Sequence, residues 1–478
     1  MTDLSDGRAE ILFLMRSPAY VRNFESVLRA LGARGRSTMV LFEERKEAGD
    51  EAGLELMRRL CGEHDALRFE LQAPLPLRLR GRLRRVLRAL QDYLRYFEAP
   101  YRDATKLRSR ALGRVPDRVE RALAVSLRRL PRARLALATA ARRVDARLGD
   151  EPRLRRELEA RRPDVLVVTP LVQLRSRQSD WVRAARRLGI GTMLCVHSWD
   201  NLTNKGVMHA RPDRVVVWND AQAREAIELH DAPAGSIVVA GAWPYDHWFG
   251  WRTLRSRTDF CRGLELAPDH ALFLYVCSSR FIAERERAAV VRWVRALRAH
   301  HDPRVATANV LVRPHPLNGE QWAEPLLQGL LGVRVFPPGG ADPVDEESRS
   351  DYFDSIAHAD AVVGINTSAM IESAIVGRPA LALPDPEFGS SQHQLPHFRA
   401  LAGEDRVVSV AGSMAEHLEQ LGRVLSSTAA DSASRRRFVE TFIRPHGDGR
   451  SPTEYAVAAI EELLDGLRTV SGEPALAS

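Results

Sequence analysis

Lysine is nearly missing from this chain. Of 70 basic residues among 478, only Lys46, Lys106 and Lys205 are lysines. A GC-rich genome favours arginine over lysine, so the isoelectric point near 9.7 is weak evidence for a nucleic-acid partner. No zinc-finger, RRM or KH signature supports one. Cysteine is scarce as well. Cys61, Cys195, Cys261 and Cys277 lie far apart, with no CxxC pair and no zinc spacing. Buried free thiols in a reducing cytosol are the expectation. No run of 18 uncharged apolar residues occurs, and the most apolar window, 361–384, carries Glu372 and Arg378. That window reads as an α/β core, not a membrane span. The polar opening "MTDLSDGRAE" lacks the apolar stretch of a secretory leader, so a cytoplasmic location is expected. Catalytic signatures are missing too: no GxxxxGK[ST], no GxSxG, no HExxH, and no Asp-x-Asp pair to hold a divalent ion on a diphosphate. "GIGTML" lacks the third glycine of a dinucleotide turn.

What is present is repeated α/β alternation. A hydrophobic content of 45% suits a globular protein, and 478 residues exceed one ordinary core. "EILFLM", a helix through "AYVRNFESVLRALGARG", and "STMVLF" form a βαβ unit, which implies a parallel sheet. The alternation resumes at "PDVLVVTP" and runs through "GTMLCVHS" and "PDRVVVWN" to "GSIVVAGAWPYDHW", closing a first domain at 1–245. A second series over 246–445 contains the strands "ALFLYV", "NVLVR", "VRVF", "DAVVGIN" and "PALALP", with a helix expected at 351–358. An amphipathic closing helix and tail occupy 446–478. Open parallel sheets bind ligands outside the carboxyl ends of their strands, so a ligand cleft is expected between the two domains.

Residues 75–160 break the pattern. They hold 24 Arg plus Lys against 10 Asp plus Glu, a local excess of 14 that leaves the remaining chain near −6. Leu and Arg recur with few strand formers, so a helical insert is expected, interrupted near Pro100, Pro116 and Pro131. Its arginines read either as solvated helix faces or as a cationic face for an anionic membrane surface or acceptor.

Chemistry-bearing residues sit where strands end. In the second domain these are Ser278, Ser279 and Arg280; then Arg313 and His315 in "RPHP"; then Asn366, Thr367 and Ser368 opening a helix. Thr367 or Ser368 can cap that helix and leave its positive end to a phosphate. Glu372, one turn on, suits ribose hydroxyls. Two prolines stiffen the corner around His315, which fixes an imidazole able to donate to a leaving phosphate beside Arg313. In the first domain, "HSWDNLTNKG" offers Asp200 or His197 as the base for an acceptor hydroxyl. Arg22, Asn201 and Lys205 join them on the acceptor side.

These motifs, in this order, resemble the GT-B-fold glycosyltransferases. In particular they resemble the bacterial surface-polysaccharide branch that includes CDP-glycerol glycerophosphotransferases, sialyltransferases and capsule Kdo transferases. "RPHP" is similar to that branch's His-Pro motif, and "INTSAMIESAIVGRPAL" to its Ser/Thr loop, helix and Gly-x-Pro strand start. "VVAGAWPYD" and "FIRPHGDGRSPTEYAVAAIEEL" look like its domain exit and closing segment. The resemblance spans roughly 160–465. It implies two Rossmann-like parallel-sheet domains facing across a cleft and a nucleotide-sugar (or CDP-glycerol) donor on the second domain. It further implies a glycan or lipid-linked acceptor on the first domain, and no metal or other cofactor. His315, Thr367 and Ser368 would then meet donor phosphate, and Glu372 the ribose. Two features depart from the family. Gly364 stands where a Glu-x7-Glu pattern would begin, which leaves the stereochemical outcome open, and the insert matches nothing in it. A non-hydrolysing UDP-sugar 2-epimerase and a non-catalytic scaffold of a membrane glycan-assembly pathway are the rival readings.

Overall fold

The computed structural model describes residues 8–43, 49–72, 79–116, 131–322, 330–402, 407–426 and 432–471. Lys46 and the insert's residues 75–78 and 117–130 lie outside them. The chain divides into two compact units: Met1–Asp246 with Phe442–Ser478, and His247–Thr441.

Unit 1 is built on a seven-stranded parallel sheet. Its strands are β1 (Ile11–Met15), β2 (Thr38–Phe42), β3 (Leu67–Leu71), β4 (Val165–Thr169), β5 (Gly191–Cys195), β6 (Arg214–Val217) and β7 (Ile237–Val239). They lie in the order β3-β2-β1-β4-β5-β6-β7. Every residue of β1, β2, β4 and β5 is buried, which explains their unbroken apolar runs. The order reverses between β1 and β4, the position where open sheets leave a crevice at their carboxyl edge. The closing helix, Pro452–Ser471, packs in this unit against the helix Glu25–Ala33 and β5. A Cβ on Gly191 would lie 2.5 Å from Leu467 Cδ1, so a larger residue at the start of β5 would make the Leu467 side chain shift.

The insert is helical where it is described: Leu79–Arg95, Thr105–Leu112, Pro131–Arg147 and Pro152–Arg161. A 3₁₀ turn at Ala99–Tyr101 breaks it beside Pro100, and Pro131 opens a helix. Three of the insert's arginines belong to neither a solvated nor a ligand-facing surface. Arg84, Arg88 and Arg95 are buried. Arg84 and Arg88 both pair with Asp145 and Asp180, and Arg183 joins at Asp145. Arg95 donates to the carbonyls of Lys205 (3.0 Å) and Gly206 (2.6 Å). These guanidiniums fasten the insert to the sheet domain, because a buried cation persists only when its donors are met.

Unit 2 carries a six-stranded parallel sheet: β8 (Leu272–Val276), β9 (Asn309–Arg313), β10 (Val333–Val335), β11 (Ala361–Gly364), β12 (Ala380–Ala382) and β13 (Val408–Ser409). The order is β10-β9-β8-β11-β12-β13, with its reversal between β8 and β11. The helix expected at 351–358 spans Glu346–Ala357, because Asp345 and Ser348 form a capping box that starts it earlier. All four cysteines are free, and Cys195, Cys261 and Cys277 are buried. Among the described residues no helix is long and apolar enough to cross a membrane.

Candidate functional site

In unit 2, β9, β8 and β11 are consecutive neighbours, so the three loops that follow them meet at one carboxyl edge. The Pro-His-Pro corner is held from outside. Gly340, at φ +82°, approaches so closely that a Cβ there would sit 2.8 Å from the Pro314 carbonyl oxygen. His315 Nδ1 accepts the Leu317 N–H at 3.1 Å, which puts the ring proton on Nε2. The corner thus presents a donor in a fixed direction.

Several sequence-based assignments change on inspection. Arg313 does not stand open at its strand end. It is buried, donates to Ser355 Oγ (2.7 Å) and the Asp351 carbonyl (3.2 Å), and lies over the Tyr352 ring at 5.2 Å. Burial lowers its pKa to about 10, with Tyr352 and Asp351 opposing. Ser278 is fully buried, and its N–H is already taken by Glu286 Oε1 at 2.9 Å. Asn366 clamps Ser391 and His397. Ser368 makes no side-chain cap on the helix Ala369–Val376, and Thr367 Oγ1 reaches the Ala369 N–H only at 3.5 Å. Ser279, Arg280, His315, Thr367 and Ser368 remain at least partly solvent-accessible at this edge. Arg280 also meets Glu320 at 3.4 Å.

Glu372 accepts a short hydrogen bond from the Tyr352 hydroxyl. Tyr352 therefore links the second loop, through Arg313, to the third loop, through Glu372. Sequence reasoning missed it, because Tyr352 sits mid-helix with no local motif around it. Glu286, which immediately precedes the helix Arg287–Arg298, was missed because no local motif marks it. Desolvation raises its pKa to about 8, against hydrogen bonds from Ser278 and Tyr275.

In unit 1, His197 and Asp200 follow β5 and lie together. His197 is buried, stacked edge-on against Tyr20 at 4.9 Å, with Nδ1 3.0 Å from Asn201 Oδ1. Burial lowers its pKa to about 4. Lys205 and Arg22 act in the same direction, while Asp200 opposes. The neutral ring donates from Nδ1 to Asn201 and keeps the lone pair on Nε2. Asp200 accepts from Ser198 Oγ (2.7 Å) and Asn204 Nδ2 (3.0 Å). Asp200, His197, Asn201, Lys205 and Arg22 thus form one cluster, and their loop contains a short helix, Asn201–Asn204. The Asn201 amide nitrogen and the Ser278 hydroxyl are buried with no partner among the described residues.

Comparison with protein-family models and with curated protein sequences finds no match. Solved structures do match along nearly the whole length. A glycosyltransferase from Rickettsia africae aligns at TM-score 0.52 and 10% identity, covering 96% of this chain and 98% of that one. Anabaena HepE in complex with UDP and glucose aligns at 0.52 and 11%, covering 96% and 100%. Methanocaldococcus jannaschii UDP-GlcNAc 2-epimerase, in complex with UDP-GlcNAc and UDP, aligns at 0.50 and 12%, covering 95% and 99%. At such identities the likeness establishes the fold: α/β, of the GT-B class, with two Rossmann-like units.

Proposed function

We propose that this chain is a glycosyltransferase that moves a sugar, or glycerol phosphate, from a nucleotide-activated donor to a hydroxyl of a glycan or lipid-linked acceptor. The observation that carries the reading is the meeting of three loops at the switch point of unit 2, with the His315 proton fixed on Nε2. Structures of this fold with UDP bound support a nucleotide donor. In this reading His315, Arg280 and the helix N-terminus at Ser368 stabilise the departing phosphate as its charge grows. Ser279 and Thr367 add hydroxyl donors, and Glu372, oriented by Tyr352, accepts from a ribose hydroxyl. Arg313, Ser278 and Asn366 shape the loops from behind. The acceptor oxygen bonds to the donor carbon (or phosphorus) as the bond to the nucleotide phosphate breaks. Its proton passes to Asp200 or His197, and the nucleotide leaves with the bonding pair. The branch building bacterial surface polysaccharides, acting at the inner face of the membrane without a metal, is the finer form of the proposal.

Thermal-shift titration with CMP, CDP, UDP, GDP, dTDP and ADP tests it. One preferred nucleotide at about 100 times its Kd adds about 2.7 kcal/mol, and that gain disappears in His315→Ala. No stabilisation by any nucleotide removes the transferase reading and favours the scaffold. The epimerase reading shares the fold, as the M. jannaschii structure shows. It is recognised by donor isomerised without an acceptor.

A further inference from the structure

The arginine-rich insert has no counterpart in the resemblance, yet it completes a pocket. At the carboxyl edge of the unit 1 sheet lies a cavity of about 270 Å³. Six cations line it: Arg16, Arg85, Arg110, Arg114, Arg175 and Lys205. The described lining residues include no carboxylate. Three cations come from loops that follow adjacent strands: Arg16 after β1, Arg175 after β4 and Lys205 after β5. The other three come from the insert: Arg85 from the helix Leu79–Arg95, and Arg110 and Arg114 from in and just beyond Thr105–Leu112. The pocket therefore sits at the switch point of the sheet and is closed over by the insert.

We propose that this pocket binds the phosphate or diphosphate group of the acceptor. The word acceptor rests on the transferase reading above; the anion binding does not. Three observations favour a multiply charged ligand. First, six cationic side chains converge on one cavity whose described lining holds no carboxylate, a charge balance that suits an anion better than a neutral group. Burial, followed by Arg114 and Arg85, lowers the pKa of Arg175, which is how crowded cations behave. Second, Arg175 is held at φ +66° in its loop, a conformation a non-glycine side chain rarely adopts without a local reason. Third, the pocket is tied to the proposed base. The Arg110 guanidinium donates to the Asn204 carbonyl, and Asn204 Nδ2 in turn donates to Asp200. Arg95 and Tyr96 hold the Lys205 carbonyl at 3.0 and 2.5 Å. A phosphate seated here would be placed near Asp200, with the hydroxyl it carries within that residue's neighbourhood.

Isothermal titration of the full chain with inorganic pyrophosphate tests the proposal, using wild type, Arg114→Ser/Arg175→Gln and His315→Ala. Arg114 and Arg175 are exposed, so their replacement spares the core. The expected result is pyrophosphate binding that weakens at least tenfold in the double variant, persists in His315→Ala, and falls as salt is raised. Nucleotide stabilisation is retained in the double variant. Vesicles of phosphatidylcholine with and without phosphatidylglycerol separate the sources of phosphate. Loss of both pyrophosphate and anionic-vesicle binding in the double variant assigns the pocket to a lipid headgroup. Loss of pyrophosphate binding alone assigns it to a phosphate off the membrane. Pyrophosphate binding that is unchanged in the double variant, or that vanishes only in His315→Ala, overturns the pocket and leaves the transferase reading standing. Pocket binding with no nucleotide binding anywhere leaves the anion site standing and removes the transferase.

Discussion

Asp145→Asn is the sharpest test of how the insert is held. Asp145 is 2% exposed, and three guanidiniums reach its carboxylate: Arg183 at 2.6 Å, Arg84 at 3.2 Å and Arg88 at 3.4 Å. Asp180, paired with Arg88 at 2.7 Å and Arg84 at 3.2 Å, is the second acid bound to these guanidiniums. Removing one charge leaves two buried guanidiniums and a partly buried third facing one anion. Breaking a buried pair in this way costs about 3–5 kcal/mol, because the orphaned charges stay desolvated. For a unit of this size, roughly 2–4 °C is lost per kcal/mol, so the melting temperature of unit 1 should fall by roughly 10 °C. The pH dependence has a definite sign. Burial raises the Asp145 pKa, but Arg88 and Arg183 outweigh it and hold the carboxyl below its ordinary value. Its contribution is thus complete above the unfolded pKa of about 3.9 and is lost as pH falls through the lower folded value. The gap between wild type and variant, read by calorimetry from pH 7 downward, should be flat to about pH 4 and shrink below it. A drop of under 2 °C at pH 7, or a gap that widens in acid, would refute the reasoning.

Tyr352→Phe removes one hydrogen bond to Glu372 while leaving the ring under Arg313; it should cost about 1 kcal/mol and weaken nucleotide binding severalfold, and an unchanged nucleotide Kd would detach Glu372 from the donor. Gly340→Ala forces a Cβ toward the Pro314 oxygen at positive φ, so urea unfolding should show a loss of about 1–3 kcal/mol and nucleotide affinity should fall as His315 shifts. Glu286, whose folded pKa is raised to about 8, favours the fold fully below the unfolded value of about 4.3 and progressively less up to pH 8. Glu286→Gln should abolish that decline; a variant whose melting temperature still tracks wild type from pH 5 to 8 would place the titration elsewhere.

The fold was legible because its carriers are local. Buried parallel strands read as unbroken apolar runs, and "LFLYV", "VLVV" and "AVVG" could be located without any tertiary information. The clustering of His197 with Asp200 was equally local, since only two residues separate them. Direction was not legible. Arg313 was placed beside His315 by sequence adjacency, but the strand ends at Arg313 and its side chain meets Ser355 and Tyr352, which sit roughly forty residues later. Ser278 was recognised as a loop serine, while the buried Glu286 that claims its N–H could not be foreseen. The insert was read from composition alone, which cannot tell an arginine on a wet face from Arg84 or Arg88 locked between aspartates.

The closing helix has a consequence for synthesis. Residues 11 to 239 supply all seven strands of unit 1, but Ala456, Val457, Ile460 and Leu464, which cover part of that sheet unit's core, emerge last. The ribosome completes unit 2 in the meantime. A nascent chain must therefore carry an unfinished N-terminal domain, its apolar flank bare, through some two hundred residues of elongation. Such a chain is exposed to misassembly over that interval and is a natural client for a chaperone. A premature stop between the end of unit 2 and the last helix would leave both a finished domain and a sticky one on the same polypeptide.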